Sequence, residues 1–456
     1  MLKSWASKAE IVTAAPLPKP TAADRIDQDK RDIKRGSTLS ILGFLARLCA
    51  RVPFLFIAGR LYGTASYGEY VLLTAIVETT ALLSTFGLKR TIFRFIDEKN
   101  SEQGDGFVIR HSLILCVCLS LVLVAIIQTL ATPILQIFSV VEIRPDLIIL
   151  SWAIPFISLT DIFLSATLSR RIMRYEIAVR SFVEPIALTL FSLGLYLLGV
   201  KGSGLVFAFL FAFTIAAVVS AYACNRVFGW RDVLIGPVRA SLLLEMAQKS
   251  LTTCLHDLAR VLVTRLDTFA VGYFFSTSVV GLYGMAQQFL TIVEKVAASF
   301  YPMLMPVVSA AVGARDRGRL LQQLRAAGVR LVLLQFPVIL IFYFFGKSLL
   351  GLIGTEFSAA WPVLMILSLG CWANSVVQLV EIPLTYMRPY VNVVGSLIAI
   401  SAYIVFVTGM QERFGLNGIA LTSVTAALFA NSLLLVVFTR TPLNPKADEN
   451  SASPSA

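Results

Sequence analysis

Twelve stretches between residues 37 and 439 are predominantly apolar, with no alternation of polar and apolar positions, although the first and seventh carry charges. Each runs to about 20–25 residues, the length a helix needs to cross the hydrocarbon core of a bilayer. Inside lipid the backbone must bond to itself, so only helices and closed barrels span it. Barrel strands would alternate outward and inward residues, and these runs do not. The expected fold is therefore all-α and integral to the membrane, with about 12 transmembrane helices. The chain is 57% hydrophobic and 14% charged, where soluble domains carry about 25% charged residues. Only tails and short loops remain outside the spans, which excludes a large soluble catalytic domain.

The expected spans of the first half are Ser37–Gly59, Tyr67–Gly87, Phe107–Pro133, Leu147–Leu168, Phe182–Gly199 and Gly204–Cys224. Those of the second half are Leu251–Phe274, Gly281–Pro306, Val329–Leu350, Trp361–Tyr386, Val391–Met410 and Gly418–Thr439. The seventh carries His256, Asp257, Arg260, Arg265 and Asp267, and a simple hydropathy window would miss it. Charge nonetheless requires it. With the N-terminus inside, 29 of the 39 Lys and Arg fall in inner segments or at inner span ends, against 5 in outer loops. Deleting the seventh span would put the basic loop between Arg315 and Arg330 outside, against the positive-inside bias. The net charge of +12 is thus read as that bias, not as affinity for nucleic acid. Residues 1–36 hold Pro16, Pro18, Lys19 and Pro20, then a mixed charge run. They lack the apolar core of a signal peptide and read as a disordered cytoplasmic tail, as do residues 441–456. The six cysteines all lie in apolar segments and read as packing residues.

The halves, 37–230 and 231–440, repeat each other at an offset of 213. Leu45-Ala46-Arg47 matches Leu258-Ala259-Arg260, Gly59 matches Gly272, Thr64 matches Thr277, and Gly68-x-Tyr70 matches Gly281-x-Tyr283. Gly204 matches Gly418 at offset 214. Six spans per half is an even number, so both halves have the same orientation. The expectation is two six-helix lobes, a parallel pseudo-repeat, around a central cleft.

Charges within spans are costly and face a cavity or a partner. Arg47 and Arg51 share a face of the first span, and Arg260 is the repeat mate of Arg47. If the first and seventh spans face each other, Arg47, Arg51, Arg260 and Arg265 converge on the cleft. Guanidinium stays charged at any working pH and grips phosphate oxygens in pairs, so the expected ligand is an anion, phosphate-bearing. The competing reading is that these arginines only neutralise acids in the bundle. The candidate acids are Glu78, Asp161, Asp257, Asp267, Glu294 and Glu381, with Lys295 beside Glu294. Each serves either as a charge partner or as part of H⁺ or Na⁺ coupling. No cofactor, metal site or catalytic group is expected. The chain has no phosphate-binding Gly-x-x-x-x-Gly-Lys loop, no Gly-x-Ser-x-Gly elbow and no His-Glu-x-x-His helix.

The stretch from Arg60 through Leu61-Tyr62-Gly63-Thr64-Ala65-Ser66-Tyr67-Gly68-Glu69 to Tyr70, then Phe86-Gly87-Leu88 and Arg94-Phe95, resembles the opening of bacterial O-antigen-type polysaccharide flippases. Arg265-x-Asp267, Gly272-x-Phe274 and Val280-Gly281-x-Tyr283 resemble that family's seventh and eighth spans. The family's usual Leu-Gly-Pro after the first span is Leu61-Tyr62-Gly63 here. These flippases belong to the multidrug/oligosaccharidyl-lipid/polysaccharide exporter superfamily. The resemblance implies a V-shaped pair of lobes with alternating access in the bacterial inner membrane, both termini cytoplasmic. It implies an undecaprenyl-diphosphate-linked oligosaccharide as substrate, for surface polysaccharide biosynthesis, with a polysaccharide polymerase and other assembly proteins as further partners beside membrane lipids. The alternatives are a cation-coupled multidrug exporter of the same superfamily and, from another class, a membrane-embedded polymerase or ligase. Cleft arginines would repel the cationic drugs of the first, and the second usually needs a long, charged outer loop, which this chain lacks.

Overall fold

The computed structural model describes residues 49–99, 104–314 and 316–441. Arg47, the first part of span one and both tails lie outside them. Every described element is helical. The first half has α1 (49–57), α2 (Gly63–Thr85), α3 (Leu88–Lys99), α4 (Asp105–Ile137), α5 (Arg144–Ser151), α6 (Ala153–Ser169), α7 (Met173–Ala178), α8 (Glu184–Leu197), α9 (Gly204–Phe228) and the short α10 (Trp230–Leu234). The second has α11 (Ala240–Phe274), α12 (Thr277–Gly313), α13 (Arg317–Ile353), α14 (Trp361–Gln378), α15 (Glu381–Met387), α16 (Pro389–Phe414) and α17 (Leu416–Arg440).

Each expected span has its helix. Nine described helices are long and apolar enough to cross a membrane, and one of them, Cys49–Ile96, holds the first two expected spans together. The chain reverses there at Gly63, whose φ of +81° suits glycine. The seventh and eighth spans are α11 and α12. The charges of α11 keep it out of the nine, yet it runs 35 residues without a break. The fourth and tenth spans are divided, by Trp152 between α5 and α6 and by Leu379-Val380 between α14 and α15. At 37 residues, α12 and α13 are each about 55 Å long and outreach a hydrocarbon core of about 30 Å.

The repeat is visible as contact. A Cβ added to Gly68 would stand 1.7 Å from the Thr277 carbonyl oxygen, and one added to Gly281 would stand 2.2 Å from the Thr64 carbonyl oxygen. One turn further, a Cβ on Gly284 would meet Val71 at 2.9 Å, and 71 and 284 also differ by 213. Residues that touch their own repeat mates lie beside a pseudo-two-fold axis, here between α2 and α12. Away from the axis the contacts are reciprocal. Gly59, at the end of α1, meets Ile353 of α13, while its mate Gly272, at the end of α11, meets Phe138 after α4 and Leu72.

The apolar core follows the same plan. One cluster takes residues from both halves, including Phe54, Tyr67, Leu72, Leu135 and Phe209 with Val271, Tyr283, Ile353, Phe357 and Ile419. Beyond it the core divides. Leu88, Ile92, Phe95, Ile109, Ile162 and Cys224 form one cluster of the first half, joined by Leu242 and Met246 from the start of α11. Val308, Ala311, Leu320, Leu331, Leu384 and Phe438 form another, wholly of the second half. The bundle is thus fused at one end, while at the other its core splits in two, with α3 still meeting α11 across the halves through Thr91–Ser250 and Arg90–Asp257.

Candidate functional site

The fused end is sealed by polar as well as apolar contacts. Arg60 Nε donates to the Leu352 carbonyl at 2.8 Å, and Thr64 Oγ1 donates to Glu356 Oε2 at 2.8 Å. The Tyr67 and Phe357 rings meet edge to face at 6.0 Å. Both hydrogen bonds cross between the halves. Their mates in the repeat, Tyr273 for Arg60 and Thr277 for Thr64, make no equivalent pairs among the described contacts, so this latch exists on one side of the axis only.

Between the fused end and the split end lie the charged candidates. Arg265 of α11 forms an ion pair with Glu78 of α2, across the halves, each side chain about one third exposed. Arg51 is exposed on α1. Arg51, Glu78 and Arg265 are all within electrostatic reach of buried Tyr70. Arg260 is exposed one turn and more below Arg265 and within reach of Glu381 and His256. The four arginines therefore do not all have the same company: Arg265 has a carboxylate in contact, Arg260 lies within electrostatic reach of Glu381 and His256, Arg51 within reach of Tyr67 and Tyr70, and Arg47 lies outside the described residues. Glu294 and Lys295, side by side on α12, are both exposed.

Three acids take partners that the arginine pattern alone does not name. Asp257 pairs with Arg90 of α3 at 3.0 Å. Asp161 of α6 pairs with Lys89 at 3.1 Å and with Arg180, which also holds Glu184 at 2.7 Å. Arg180 sits in the wide helical turn Val179–Val183 that leads into α8. Such turns insert one residue into the ladder and occur often at functional positions. Asp267 takes no cation. It is buried and accepts a 2.8 Å hydrogen bond from Tyr283, itself part of the repeated Gly-x-Tyr. The hydroxyls of Tyr403 and Ser423 stand beside the same buried carboxylate. Thr268, the residue after Asp267, donates to Gln287 at 3.2 Å, and elsewhere in the second half Asn431 donates to Asn374 at 2.8 Å. The second half thus buries one carboxylate among hydroxyl groups.

Lys89, Arg90, Arg180 and Tyr403 are residues that sequence reasoning missed, and Tyr283, named there in the repeat, was given no role. The lysine and arginines fall in segments read as inner loops, where basic residues are expected for topology alone. Tyr403 was hidden in an apolar run.

Comparison with known proteins follows this geometry. The family model described as polysaccharide biosynthesis protein matches residues 33–312, and the MatE model matches residues 253–381. A lipid II flippase MurJ in an inward closed conformation superposes with a TM-score of 0.73 at 14% identity, covering 88% of both chains. A MATE family multidrug resistance transporter of the MOP superfamily, inward-facing, superposes with a TM-score of 0.65 at 15% identity, covering 91% of this chain and 96% of the other. The Vibrio cholerae MATE transporter VcmN, in its bent form, gives a TM-score of 0.57 at 14% identity, covering 90% of this chain and 96% of the other. No curated protein matches the chain. At these identities the superpositions speak for the fold, while the family model covers more than half of the sequence. The chain belongs to the polysaccharide biosynthesis protein family and is a multi-pass, all-α membrane protein with the fold of MurJ and the MATE transporters.

Proposed function

We propose that this protein is a flippase that carries undecaprenyl-diphosphate-linked oligosaccharide units across the bacterial inner membrane by alternating access, for surface polysaccharide assembly. The observation that carries the reading is the division of the core: one cluster shared by both halves at the Gly68–Gly281 end, and two separate clusters at the other. A core fused at one end and split at the other is one state of a rocking pair. The axis between Gly68 and Gly281 is what the halves rock about. The Lys and Arg distribution assigns the split end, with both termini, to the cytoplasm. The divided end of the core then faces the side on which lipid-linked sugars are made.

The arginines divide the labour. Arg51 and Arg260 carry exposed guanidinium groups in a membrane segment, where a charge persists only facing water or an anion. They, with Arg47, are the groups we assign to the diphosphate. Arg265 is matched by Glu78 and serves the closure between the halves. Asp267, with Tyr283 and Tyr403, is the place we assign to the coupling ion, H⁺ or Na⁺. The drug-exporter reading is the weaker one, because Arg51 and Arg260, the exposed charges of the first and seventh spans, are cationic.

The test is a strain lacking the protein. Complete, unpolymerised saccharide units should accumulate on the cytoplasmic face, and the intact gene should clear them. Accumulation on the outer face would instead place the defect in polymerisation or ligation.

A further inference from the structure

The segment joining the halves, from Gly229 to Arg239, holds none of the cleft residues, yet it is fastened by a buried charge. Arg110, near the start of α4, is 7% exposed. Its Nε donates to the Val233 carbonyl at 3.0 Å. One Nη donates to the Pro237 carbonyl at 3.3 Å, and the other donates to the carbonyls of Asp232, at 2.7 Å, and Ile235. Four of the five donors of one guanidinium therefore go to a single short stretch of backbone. Two of these, at Asp232 and Val233, are carbonyls that α10, ending at Leu234, leaves without helical partners, and the other two follow it.

The neighbours are shaped to this contact. Gly236 has φ +144°, and a Cβ there would stand 2.5 Å from Arg110 Nη1. A Cβ on Gly106 would stand 2.5 Å from the Asp232 carbonyl oxygen. His111 Nε2 accepts the Arg239 amide proton at 2.9 Å, so its proton is on Nδ1, which donates to the Phe107 carbonyl at 2.7 Å. Val233 within the connector, and Leu242 and Met246 past it, lie in the core cluster of the first half. By packing, the first half thus continues to Met246, well past the point near residue 230 where the sequence repeat ends it.

We propose that Arg110 is a positioning residue that makes the connector a strut of the first half, so that the second half moves from a fixed point beyond Met246 and not on a slack tether. A buried guanidinium is tolerated only with its donors satisfied, so peeling the connector from α4 would strand the charge. The proposal rests on the rocking reading above, and its test has an arm that does not.

The arm independent of transport is hydrogen exchange on the intact protein in lipid nanodiscs. Arg110→Gln should speed exchange of the 233–239 amides about tenfold or more while α12–α17 keep their protection. Unchanged exchange in that segment would overturn the clasp. Should Arg110→Gln fail to fold, Gly236→Ala, which leaves the charge in place and pushes a methyl against it, should give the same local signature. The second arm inserts six Gly and Ser residues between Gly236 and Pro237 with Arg110 intact. A strut predicts that flipping falls about tenfold or more at normal membrane abundance, as for a misplaced rigid element. Wild-type flipping by the insertion variant would show a tether and overturn the strut. If the unaltered protein flips no lipid-linked saccharide, the functional reading falls and the exchange arm still decides the clasp.

Discussion

Gly68 and Gly281 stand 213 residues apart in sequence and face each other across the interface between the halves, each Cα lying against the other helix's backbone at Thr277 and Thr64. No side chain fits at either position without moving a helix. The two glycines are also the most legible elements of the repeat, Gly68-x-Tyr70 and Gly281-x-Tyr283. The motif is therefore a packing device at the pseudo-two-fold, and the sealed state depends on it.

Alanine at either glycine should weaken the seal. Overpacking of this kind costs about 1–3 kcal/mol, roughly five- to a hundredfold in the balance between sealed and opened states. The measurement is the labelling rate of a cysteine placed at Thr64, in a background without the native cysteines, by an impermeant thiol reagent added from outside. Gly68→Ala and Gly281→Ala should each accelerate labelling, while Gly194→Ala, where a Cβ meets nothing within 4 Å, should not.

The Glu78–Arg265 pair should behave as a closure between halves, not as a substrate site. Removing either charge should impair flipping, and the swap Glu78→Arg with Arg265→Glu should restore much of it, a coupling that a double-mutant cycle resolves. An unrescued swap would return Arg265 to the list of anion contacts.

Arg51→Ala and Arg260→Ala should each abolish flipping with the protein still inserted and abundant. Lysine at either position should retain part of the activity, since it keeps the charge and loses the two-pronged geometry. Normal polysaccharide from both alanine variants would remove the cationic cleft from the mechanism.

Asp267→Asn should uncouple transport. Flipping by the variant should lose its response to imposed sodium and proton gradients, and Tyr283→Phe, which removes one hydrogen bond, should have a smaller effect in the same direction. A full gradient response in Asp267→Asn would place coupling elsewhere.

Asp161→Asn should cost stability. It leaves Lys89 without this carboxylate and Arg180 with Glu184 alone. Breaking a buried pair costs about 3 kcal/mol, so the detergent-solubilised variant should melt several degrees lower, while Lys249→Ala, in an exposed pair with Glu245, should melt as the parent does.

Much of this architecture could be read from the chain alone, because its causes are local or periodic. Continuous apolar runs specify spans, and α11 could be placed despite Asp257, Arg260, Arg265 and Asp267 because losing it would turn every later basic loop outward. Gly68 and Gly281 could be paired because a backbone-to-backbone crossing admits little else. The partners of the charges could not be read. Arg90 reaches Asp257, and Lys89 with Arg180 reaches Asp161, only because α3 packs under α6 and α11, a contact set by Leu88, Ile92 and Phe95 in the inner core. Spacing along one helix says which residues share a face. It does not say which distant helix that face meets. Arg110 was hidden for a further reason: its acceptors are backbone carbonyls, which leave no trace in composition.

The central claim is that the cleft moves a lipid-linked saccharide. The most direct measurement is in proteoliposomes holding purified protein and an undecaprenyl-diphosphate oligosaccharide, following how fast the sugar becomes accessible to a reagent on the opposite face. The account predicts flipping that requires the protein and is lost with Arg260→Ala but kept with Lys249→Ala. Flipping at the rate of empty liposomes, together with efflux of a cationic dye by the same preparation, would contradict it.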